Sequence, residues 1–294
     1  MTRVAVLGCG YVGLELCRQL GGEAVGVRRS TDGLRAIEET GATAVQADVT
    51  EPETLAAVPD ADVVVFAASS GGRGAEAARE VYVEGQQNAL AEFAGRAEPP
   101  DRYVYTSSTG VYGDHGGDWV DEETPLEPVT EKTEVLVEAE RVALDGARER
   151  GIDGTVARYA GLYGPERYRL ARYVEGPVTE GYLNMVHRDD AAGAVGFLVT
   201  EDLARDEAVL VVDDEPVEKW AFADWLAEQC GEPAPPKRTV EERLESDVPE
   251  SVRRRLTTSK RCSNAKLREL GYEFRYPTYR EGYRAAIADW GGSE

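Results

Sequence analysis

Residues 4–13 read Val-Ala-Val-Leu-Gly-Cys-Gly-Tyr-Val-Gly, and this stretch decides the fold. Its first four residues form a short apolar run, which predicts a buried strand. The run leads directly into three glycines spaced Gly8-x-Gly10-x-x-Gly13. An amphipathic helical pattern follows, with apolar side chains at Leu14, Leu16, Cys17 and Leu20. The sequence therefore predicts a strand, a glycine turn and a helix in immediate succession.

Each glycine of this turn has a physical role. Gly8 permits the tight turn, Gly10 lets the backbone approach a pyrophosphate, and Gly13 lets helix and strand lie close together. The N-terminus of the helix offers backbone N–H groups and a positive dipole end to phosphates. We therefore expect Gly8, Gly10, Tyr11, Val12 and Gly13 to bind a dinucleotide. The alternative is a plain structural turn.

Strand and helix patterns alternate through the first half of the chain. After Val4–Leu7, strands are predicted at 24–27, 43–46, 63–66, 103–106 and 155–158. Helices are predicted near 11–21, 31–40, 75–96 and 130–150. This alternation is typical of βαβ units. The predicted class is α/β, with a doubly wound parallel sheet of the Rossmann type.

The pattern changes after residue 160, where Tyr- and Gly-rich loops begin. We expect a helix near 189–200, a strand at 209–212, and helices at 217–229 and near 279–290. The predicted organisation is a dinucleotide-binding domain at 1–160 and a smaller α+β substrate-binding lobe at 161–294. Some elements of the second part are expected to return to the sheet.

The charge is strongly acidic: 33 Lys and Arg residues face 55 Asp and Glu residues, a formal net charge of −22. This balance argues against nucleic acid or an anionic membrane as partner. Five of the basic residues are lysines and 28 are arginines. An acid-rich, Lys-poor composition favours a protein of a high-salt cytoplasm, where salt screens the repulsion between carboxylates. The alternative is an ordinary acidic protein from a GC-rich genome.

Targeting and redox signals point to the cytoplasm. No segment reaches the roughly 18 consecutive apolar residues of a spanning helix, and no basic segment with a cleavage site opens the chain. The four cysteines show no C-x-x-C spacing, and Cys9 and Cys17 are expected to be small buried side chains.

Several downstream segments carry a family resemblance. They are Ala47-Asp48-Val49, Val65-Phe66-Ala67-Ala68-Ser69, the run 105–113 ending in Val111-Tyr112-Gly113, the run 121–128 ending in Glu127-Pro128, the run 157–165 containing Tyr163-Gly164-Pro165, His187-Arg188-Asp189-Asp190, and the runs 213–217 and 267–272. Together with the N-terminal turn, and in this order, they resemble the NAD-dependent epimerase/dehydratase family, also called extended short-chain dehydrogenases/reductases.

The resemblance implies further cofactor contacts. It places Asp48 beside the adenine, with Val49 next to it, and it makes Ala67, Ala68 and Ser69 line the adenosine ribose. It also assigns Ser107, Ala160 and Leu162 to the cofactor.

The chain departs from the family where a Tyr and a Lys four residues later are expected. In the family the Lys lowers the pKa of the Tyr, so that the phenolate exchanges a proton during hydride transfer. Anchored on Pro128 and Glu140, the Tyr position falls on Lys132 and the Lys position on Leu136. No tyrosine lies in 130–140. The departure resembles the atypical branch of the family, which keeps the dinucleotide site and loses this pair.

The remaining catalytic candidates each have a structural alternative. Ser108 occupies the position of the family Ser/Thr that hydrogen-bonds the substrate oxygen, or it serves binding or the strand end. Lys132 is a proton donor or a solvated lysine. Tyr112, Tyr163 or a water could instead supply the proton.

The two histidines are also candidates, although the spacing of histidines and cysteines predicts no metal site. His187 matches a family position that supports a loop or caps a helix. His115 is the candidate for acid/base work near neutral pH.

Arg28 and Arg29 end the second predicted strand, about 20 residues after the glycine turn, where an NAD site carries Asp or Glu. Two guanidiniums there would attract a 2′-phosphate. The sequence therefore predicts NADP(H) over NAD(H), with ordinary surface arginines as the alternative.

Two functions follow as expectations. The first is an NADP-dependent oxidoreductase or epimerase acting on a small polar or nucleotide-sugar substrate. The second is a non-catalytic dinucleotide-binding sensor or regulator. The heavily charged helix at 130–150 leaves both a monomer and a homodimer open.

Overall fold

A computed structural model describes residues 2–72 and 74–290. Its strands are, in chain order, β1 (Val4–Leu7), β2 (Ala24–Arg28), β3 (Thr43–Gln46), β4 (Val63–Phe66), β5 (Arg102–Ser108), β6 (Trp119–Val120), β7 (Asp153–Tyr159), β8 (Gly161–Tyr163), β9 (Val178–Thr179), β10 (Tyr182–Leu183), β11 (Met185–His187), β12 (Glu207–Val211), β13 (Val217–Glu218), β14 (Lys237–Arg238) and β15 (Arg261–Cys262).

The helices are, in the same order, α1 (Tyr11–Leu20), α2 (Asp32–Glu38), α3 (Ala75–Arg79), α4 (Gly85–Ala94), α5 (Glu131–Arg141), α6 (Leu170–Glu175), α7 (Arg188–Thr200), α8 (Lys219–Cys230), α9 (Val240–Leu244), α10 (Glu250–Leu256), α11 (Ala265–Glu269), α12 (Tyr279–Gly282) and α13 (Arg284–Trp290). A π-helical turn at Glu80–Glu84 joins α3 to α4, and another at Val142–Gly146 continues α5.

Seven strands form one sheet in the order β12-β7-β5-β4-β1-β2-β3. The pairs from β7 to β3 are all parallel. The strand order reverses at β1, which pairs with β2 on one side and β4 on the other, so a topological switch point lies between β1 and β4. The predicted doubly wound parallel sheet is confirmed.

The register aligns the carboxyl ends of the central strands. Leu7 lies opposite Val27 on one side and Phe66 on the other, and Phe66 lies opposite Tyr105. The residues after these ends therefore share one edge of the sheet, which is where ligands bind in open α/β sheets.

The predicted elements agree with the observed ones in type, with small differences in length. Strands β1, β3 and β4 have the predicted bounds, whereas β5 and β7 are longer. The prediction of one helix near 279–290 is wrong: α12 ends at Gly282 and α13 begins at Arg284. A Cβ on Gly282 would overlap the Tyr163 hydroxyl, so close side-chain contact constrains the end of α12.

The chain forms two compact units, each built from several segments. The first consists of the described residues up to Val111, then Glu131–Tyr159 and Ala191–Val209. The second consists of Tyr112–Thr130, Ala160–Asp190 and Leu210 onward. The assignment of 1–160 and 161–294 as domains stays a prediction.

Each unit has its own buried core. In the first, apolar side chains of the sheet meet those of α4 and α5, including Val64, Phe66, Tyr103, Leu90 and Val135. The second contains an aromatic core with Tyr163, Phe222, Tyr279 and Tyr283. Across the described ranges, no helix combines the length and apolar character needed to cross a bilayer.

The cysteine prediction is confirmed for the first unit. Cys9 and Cys17 are fully buried, and their sulfur atoms lie 3.5 Å apart without a disulfide. The hydrogen bond with the Cys17 thiol, together with burial, raises the pKa of Cys9, so its thiol stays protonated.

Candidate functional site

The β1–α1 turn is held by main-chain bonds. The N–H groups of Gly8 and Cys9 both donate to the Val27 carbonyl, at 3.1 and 3.0 Å. Gly8 has a φ of +96°, and a Cβ there would overlap the backbone of Ala68. A Cβ on Gly13 would lie 2.7 Å from the Gly8 carbonyl oxygen. Gly8 and Gly13 are therefore required by local geometry.

Gly10 differs from these two glycines, because a Cβ on it would meet nothing within 4 Å. Open space thus lies beside the backbone at the N-terminus of α1. No side-chain cap occupies that helix end, and its first turn, which includes Tyr11 and Val12, carries no acidic residue. Open space beside a helix N-terminus without an acidic residue in its first turn fits a pyrophosphate.

Arg28 and Arg29 follow at the end of β2. The side chain of Arg28 lies across the start of α2, where a Cβ on Gly33 would overlap its Cδ. Arg29 is exposed, and its Nη2 lies 2.8 Å from the Cβ position of Gly71. Among residues 2–72 and 74–290, neither guanidinium has a carboxylate within ion-pair distance. Two guanidiniums without carboxylate partners among the described residues therefore lie at the end of β2, and their contact with a 2′-phosphate stays a prediction.

Asp48 and Val49 follow β3 in the same unit. Asp48 Oδ1 accepts hydrogen bonds from the Thr50 N–H and hydroxyl, at 3.0 and 2.8 Å. Val49 is buried, and its carbonyl accepts from the Asn88 amide at 2.9 Å. These bonds fix the loop after β3 in one conformation.

Ala67, Ala68 and Ser69 follow β4. The Ala67 N–H donates to the Leu7 carbonyl at 2.8 Å, and Ala68 lies against the Gly8 turn. Ser69 is exposed. The structure thus brings this segment next to the glycine turn, as the predicted ribose site requires.

Ser107 belongs to a buried charged cluster that the sequence did not predict. Its hydroxyl donates to Glu140 Oε1 at 2.6 Å, and Arg158 donates to both carboxylate oxygens of Glu140. All three residues are buried. This cluster ties β5, α5 and β7 together, and it commits the Ser107 side chain to Glu140. In the sequence, Glu140 was used only to locate the Tyr and Lys positions of the family. Arg158 was only one residue of the family segment 157–165.

Ser108 is the last residue of β5 and is half-buried. Its Oγ accepts the Gly110 N–H at 3.2 Å, which leaves the hydroxyl hydrogen for donation. The Cβ position of Gly110 lies 3.4 Å from Ser108 Oγ and 3.5 Å from Thr133 Cγ2. A threonine methyl group of α5 therefore stands near the serine.

The two positions of the missing catalytic pair have opposite environments. Lys132 is exposed in the first turn of α5, whereas Leu136, one turn later, is 9% exposed. Leu136 therefore faces the core.

In the second unit, Ala160 directly precedes the short strand β8, and Leu162 lies within that strand. The Ala160 N–H donates to the Val211 carbonyl at 3.2 Å, and Leu162 lies opposite Val186 in the parallel pair of β8 and β11. Both are held by main-chain bonds.

The tyrosines suggested as proton donors are poorly placed for that role. Tyr112 and Tyr163 are both buried. Burial, together with the nearby Asp213 carboxyl, raises the pKa of Tyr163 well above the ordinary value of about 10. A phenol with a raised pKa is a weaker acid.

The two histidines have structural contacts. His115 Nε2 lies 2.9 Å from the Tyr112 carbonyl and must therefore donate to it. His187 Nδ1 accepts the Asp189 N–H at 3.2 Å at the start of α7, which is the predicted capping role. Burial lowers the pKa of His187 to about 4, so the ring is neutral at physiological pH. Among the described residues, no three His, Cys, Asp or Glu side chains are placed to hold a metal ion.

Comparison with known proteins decides the family. The model of the "NAD dependent epimerase/dehydratase family" matches residues 4–210. The chain belongs to the NAD-dependent epimerase/dehydratase family. It is 33% identical over 211 residues to protein YeeZ of Escherichia coli (strain K12), which covers 68% of this chain and 73% of YeeZ.

Solved structures agree with this assignment. A structure from Methylobacillus flagellatus, provisionally described as an NAD-dependent epimerase/dehydratase, is 30% identical with a TM-score of 0.76 and covers 98% of both chains. The dTDP-glucose 4,6-dehydratase DesIV of Streptomyces venezuelae, solved with NAD bound, shares the fold at 20% identity with a TM-score of 0.77, covering 99% of this chain and 97% of DesIV. The family resemblance read from the sequence is confirmed.

Proposed function

We propose that the protein is an NADP-dependent oxidoreductase or epimerase acting on a hydroxyl- or carbonyl-bearing carbon of a small polar or nucleotide-linked sugar substrate. The observation that carries this proposal is the open space beside Gly10 at the N-terminus of α1, together with two guanidiniums at the end of the neighbouring strand that have no carboxylate partner among the described residues. The family membership supports a nicotinamide dinucleotide as the bound group.

The choice of NADP(H) rests on charge. Arg28 and Arg29 stand where a carboxylate would select the free ribose hydroxyl. In a chain with a net charge of −22, two guanidiniums without carboxylate partners favour a dianionic phosphate. Glycine-turn main chain would hold the pyrophosphate, and the loops after β3 and β4, with Asp48, Val49 and Ala67–Ser69, would enclose the adenosine. The assignment of Ser107, Ala160 and Leu162 to the cofactor stays an implication of the family resemblance.

Ser108 is the proposed catalytic residue. When bound, the nicotinamide ring accepts or supplies a hydride. The Ser108 hydroxyl, held by the Gly110 N–H, would donate a hydrogen bond to the substrate oxygen and stabilise the charge that develops there. The buried Glu140–Arg158 pair fixes the preceding residue, which restrains the orientation of Ser108.

The proton donor differs from the family pattern. With Tyr112 and Tyr163 buried and the His115 Nε2–H bonded to the Tyr112 carbonyl, Lys132 or a water molecule is the remaining candidate. Lys132 has the exposure that a mobile donor needs. A positioned acid or base contributes roughly 10²–10⁴-fold to the rate. A chain without the phenol–lysine pair is therefore expected to be a slow enzyme.

The second candidate function is a dinucleotide-binding sensor or regulator without chemistry. The observation that favours it is the environment of α5: a solvated lysine and a buried leucine replace the catalytic pair. Both functions share the cofactor site and differ only in turnover.

Substitution of Ser108 by Ala separates the two. NADPH oxidation is measured across a panel of carbonyl compounds, with Thr106→Val as the control. Thr106 lies on the same strand and donates its hydroxyl to the Phe66 carbonyl. An enzyme should lose turnover with Ser108→Ala at unchanged NADPH affinity, while Thr106→Val keeps it. No turnover by the wild type would support the sensor, and turnover unaffected by Ser108→Ala would refute the mechanism.

The charged residues support one inference about the salt environment of the protein and one about its oligomeric state. The acidic, lysine-poor surface suits a high-salt cytoplasm, where a carboxylate-rich surface stays hydrated. The charged side chains of α5, including Glu131 and Glu134, are compatible with either a monomer or a homodimer.

A further inference from the structure

The first unit contains a tyrosine outside the candidates taken from the sequence, in the turn that joins α3 to α4. Tyr82 lies in the π-helical turn Glu80–Glu84, and its ring packs against the buried core of this unit. The residue as a whole is only half-buried. Single π-helical turns within helices are frequent at functional sites. Tyr82 therefore combines a ring held by apolar contacts with a side chain that is not closed off from solvent.

The hydroxyl group of Tyr82 lies against the segment that follows β4. Its oxygen accepts the Ser70 N–H at 3.3 Å and the Ser70 hydroxyl at 3.4 Å. Because the Tyr82 oxygen accepts both of these bonds, its own hydrogen is left for donation to a further group. Two donors that point at the oxygen also stabilise the negative charge that develops when the proton leaves. The arrangement therefore suits a group that gives up a proton.

This hydroxyl is placed at the carboxyl edge of the sheet. Strands β4 and β5 are parallel neighbours. Ser70 follows the end of β4, and Ser108 is the last residue of β5. Ala68, two residues before Ser70, lies against the glycine turn between β1 and α1. The Tyr82 hydroxyl thus lies at the edge where ligands bind in open α/β sheets, beside the segment that also contacts the predicted cofactor turn.

Two contacts join the turn of Tyr82 to α5, the helix in which the family Tyr and Lys are absent. The Gln86 amide donates to the Tyr82 carbonyl and, at 3.2 Å, to the Ala139 carbonyl of α5. The Arg79 guanidinium pairs with the Glu138 carboxylate of α5 at 2.6 Å. These bonds fix the backbone of Tyr82 between α5 and the segment after β4. The phenol is therefore held in place before any ligand binds.

The other tyrosines of the first unit are less suited to give up a proton at this edge. Tyr103, Tyr105 and Tyr159 are buried, and burial raises the pKa of each of them. Tyr11 begins α1 at the glycine turn, where a dinucleotide contact is predicted. Tyr82 is the half-buried phenol that the described residues of this unit place against the segment after β4.

We propose that Tyr82 is the proton donor of the candidate site, in place of Lys132 or a water molecule. The inference rests on the proposed function and deepens it, because it names the residue that supplies the proton. In the direction of reduction, a hydride passes from NADPH to the carbonyl carbon of the substrate. The Tyr82 O–H bond breaks and its proton moves to the carbonyl oxygen, while the two Ser70 donors stabilise the phenolate. The phenolate then regains a proton from water.

The test measures NADPH oxidation with the panel of carbonyl compounds. Tyr82→Phe keeps the ring in the core and removes the proton, so turnover should fall roughly 10²–10⁴-fold at unchanged NADPH affinity. Tyr103→Phe is the matched control and should keep wild-type turnover. It removes a buried hydroxyl of β5 that has no hydrogen-bond partner in the described part of the chain. Lys132→Ala tests the rival donor and should cost less turnover than Tyr82→Phe.

The dependence of turnover on pH separates a chemical role from a structural one. Reduction by the wild type should decline at alkaline pH as the donor loses its proton, and Tyr82→Phe should lose that decline. Circular dichroism checks the fold of each variant. If Tyr82→Phe fails to fold, Ser70→Ala decides. It leaves the phenol in place and removes one donor to its oxygen, so turnover should fall about two- to tenfold.

The inference is overturned if folded Tyr82→Phe keeps wild-type turnover and its alkaline decline, if Lys132→Ala loses more turnover than Tyr82→Phe, or if Ser70→Ala, where it has to decide, behaves like the wild type. Turnover that Ser108→Ala abolishes and Tyr82→Phe leaves intact refutes this inference alone. A wild type without turnover refutes the proposed enzyme, and this inference with it.

Discussion

The turn between β1 and α1 and the start of α5 belong to the same unit but preserve the family pattern to different degrees. At the turn, Gly8 and Gly13 are enforced by backbone contacts, and Gly10 leaves space for a ligand. At the start of α5, the two catalytic positions hold an exposed lysine and a buried leucine. In this chain the glycine turn therefore keeps the family pattern, whereas the start of α5 does not.

The largest expected effect is in the glycine turn, where one substitution should reduce stability and another should reduce only cofactor binding. Gly8→Ala places a Cβ into the backbone of Ala68 at a positive φ, so we expect a loss of about 3–5 kcal/mol in the free energy of unfolding. Gly10→Ala is the matched control, because its Cβ meets nothing and its φ is negative. It should keep the stability and lose NADPH binding. Urea unfolding measures the stability of each variant, and calorimetry measures its NADPH binding. Equal stability of both variants would contradict the claim that Gly8, unlike Gly10, is required by the fold.

The second prediction restores the family pair in α5. Lys132→Tyr with Leu136→Lys should reduce stability by about 2–3 kcal/mol, because position 136 is buried and the new ammonium group loses hydration. Lys132→Tyr alone should change stability little. Thermal unfolding of the single and double variants tests this, and a double variant as stable as the wild type would show that position 136 has access to water. A gain of turnover in the double variant would support the enzyme over the sensor.

The third prediction concerns His187, a residue of a family motif with a structural role. The pKa of His187 is about 4 in the folded chain and about 6.5 when unfolded, so the unfolded chain binds the extra proton between these values. The stability that His187 contributes is complete above pH 6.5 and is lost as the pH falls towards 4. The stability difference between wild type and His187→Gln should shrink by about 2 kcal/mol over that range. Denaturant unfolding at several pH values measures it, and a constant difference would contradict the assignment.

The smallest effect is a dependence on salt. Repulsion among 55 acidic residues should be screened at molar KCl, where the Debye length is about 3 Å, and the gain should be on the order of 1 kcal/mol. Thermal melts at low and molar KCl test this. A midpoint that stays flat or falls would argue for an ordinary acidic protein.

The sequence predicted the fold well because buried parallel strands are short apolar runs bounded by turn residues. Val4–Leu7 and Val63–Phe66 are fully buried, and their predicted bounds are correct. The break between α12 and α13 was missed because no proline or turn motif marks it in the sequence, and the close contact of Gly282 with Tyr163 appears only in the fold.

The sequence predicted only those parts of the candidate site that lie within one short segment. The glycine turn and Arg28-Arg29 are local motifs, so the sequence alone revealed them. The Glu140–Arg158–Ser107 cluster was missed because a charged residue on a helix is expected to face solvent, and burial depends on pairing across the fold.

The most direct test of the account is a calorimetric titration of NADPH and NADH into the wild type, the Arg28→Ala/Arg29→Ala variant and Arg35→Ala. Arg35 is an exposed arginine of α2 paired with Glu39, which makes it the matched control. We predict tighter binding of NADPH than of NADH by the wild type, a loss of about 1–3 kcal/mol in NADPH binding by the double variant, and no change in Arg35→Ala. Equal affinity for both cofactors, before and after the substitutions, would contradict it.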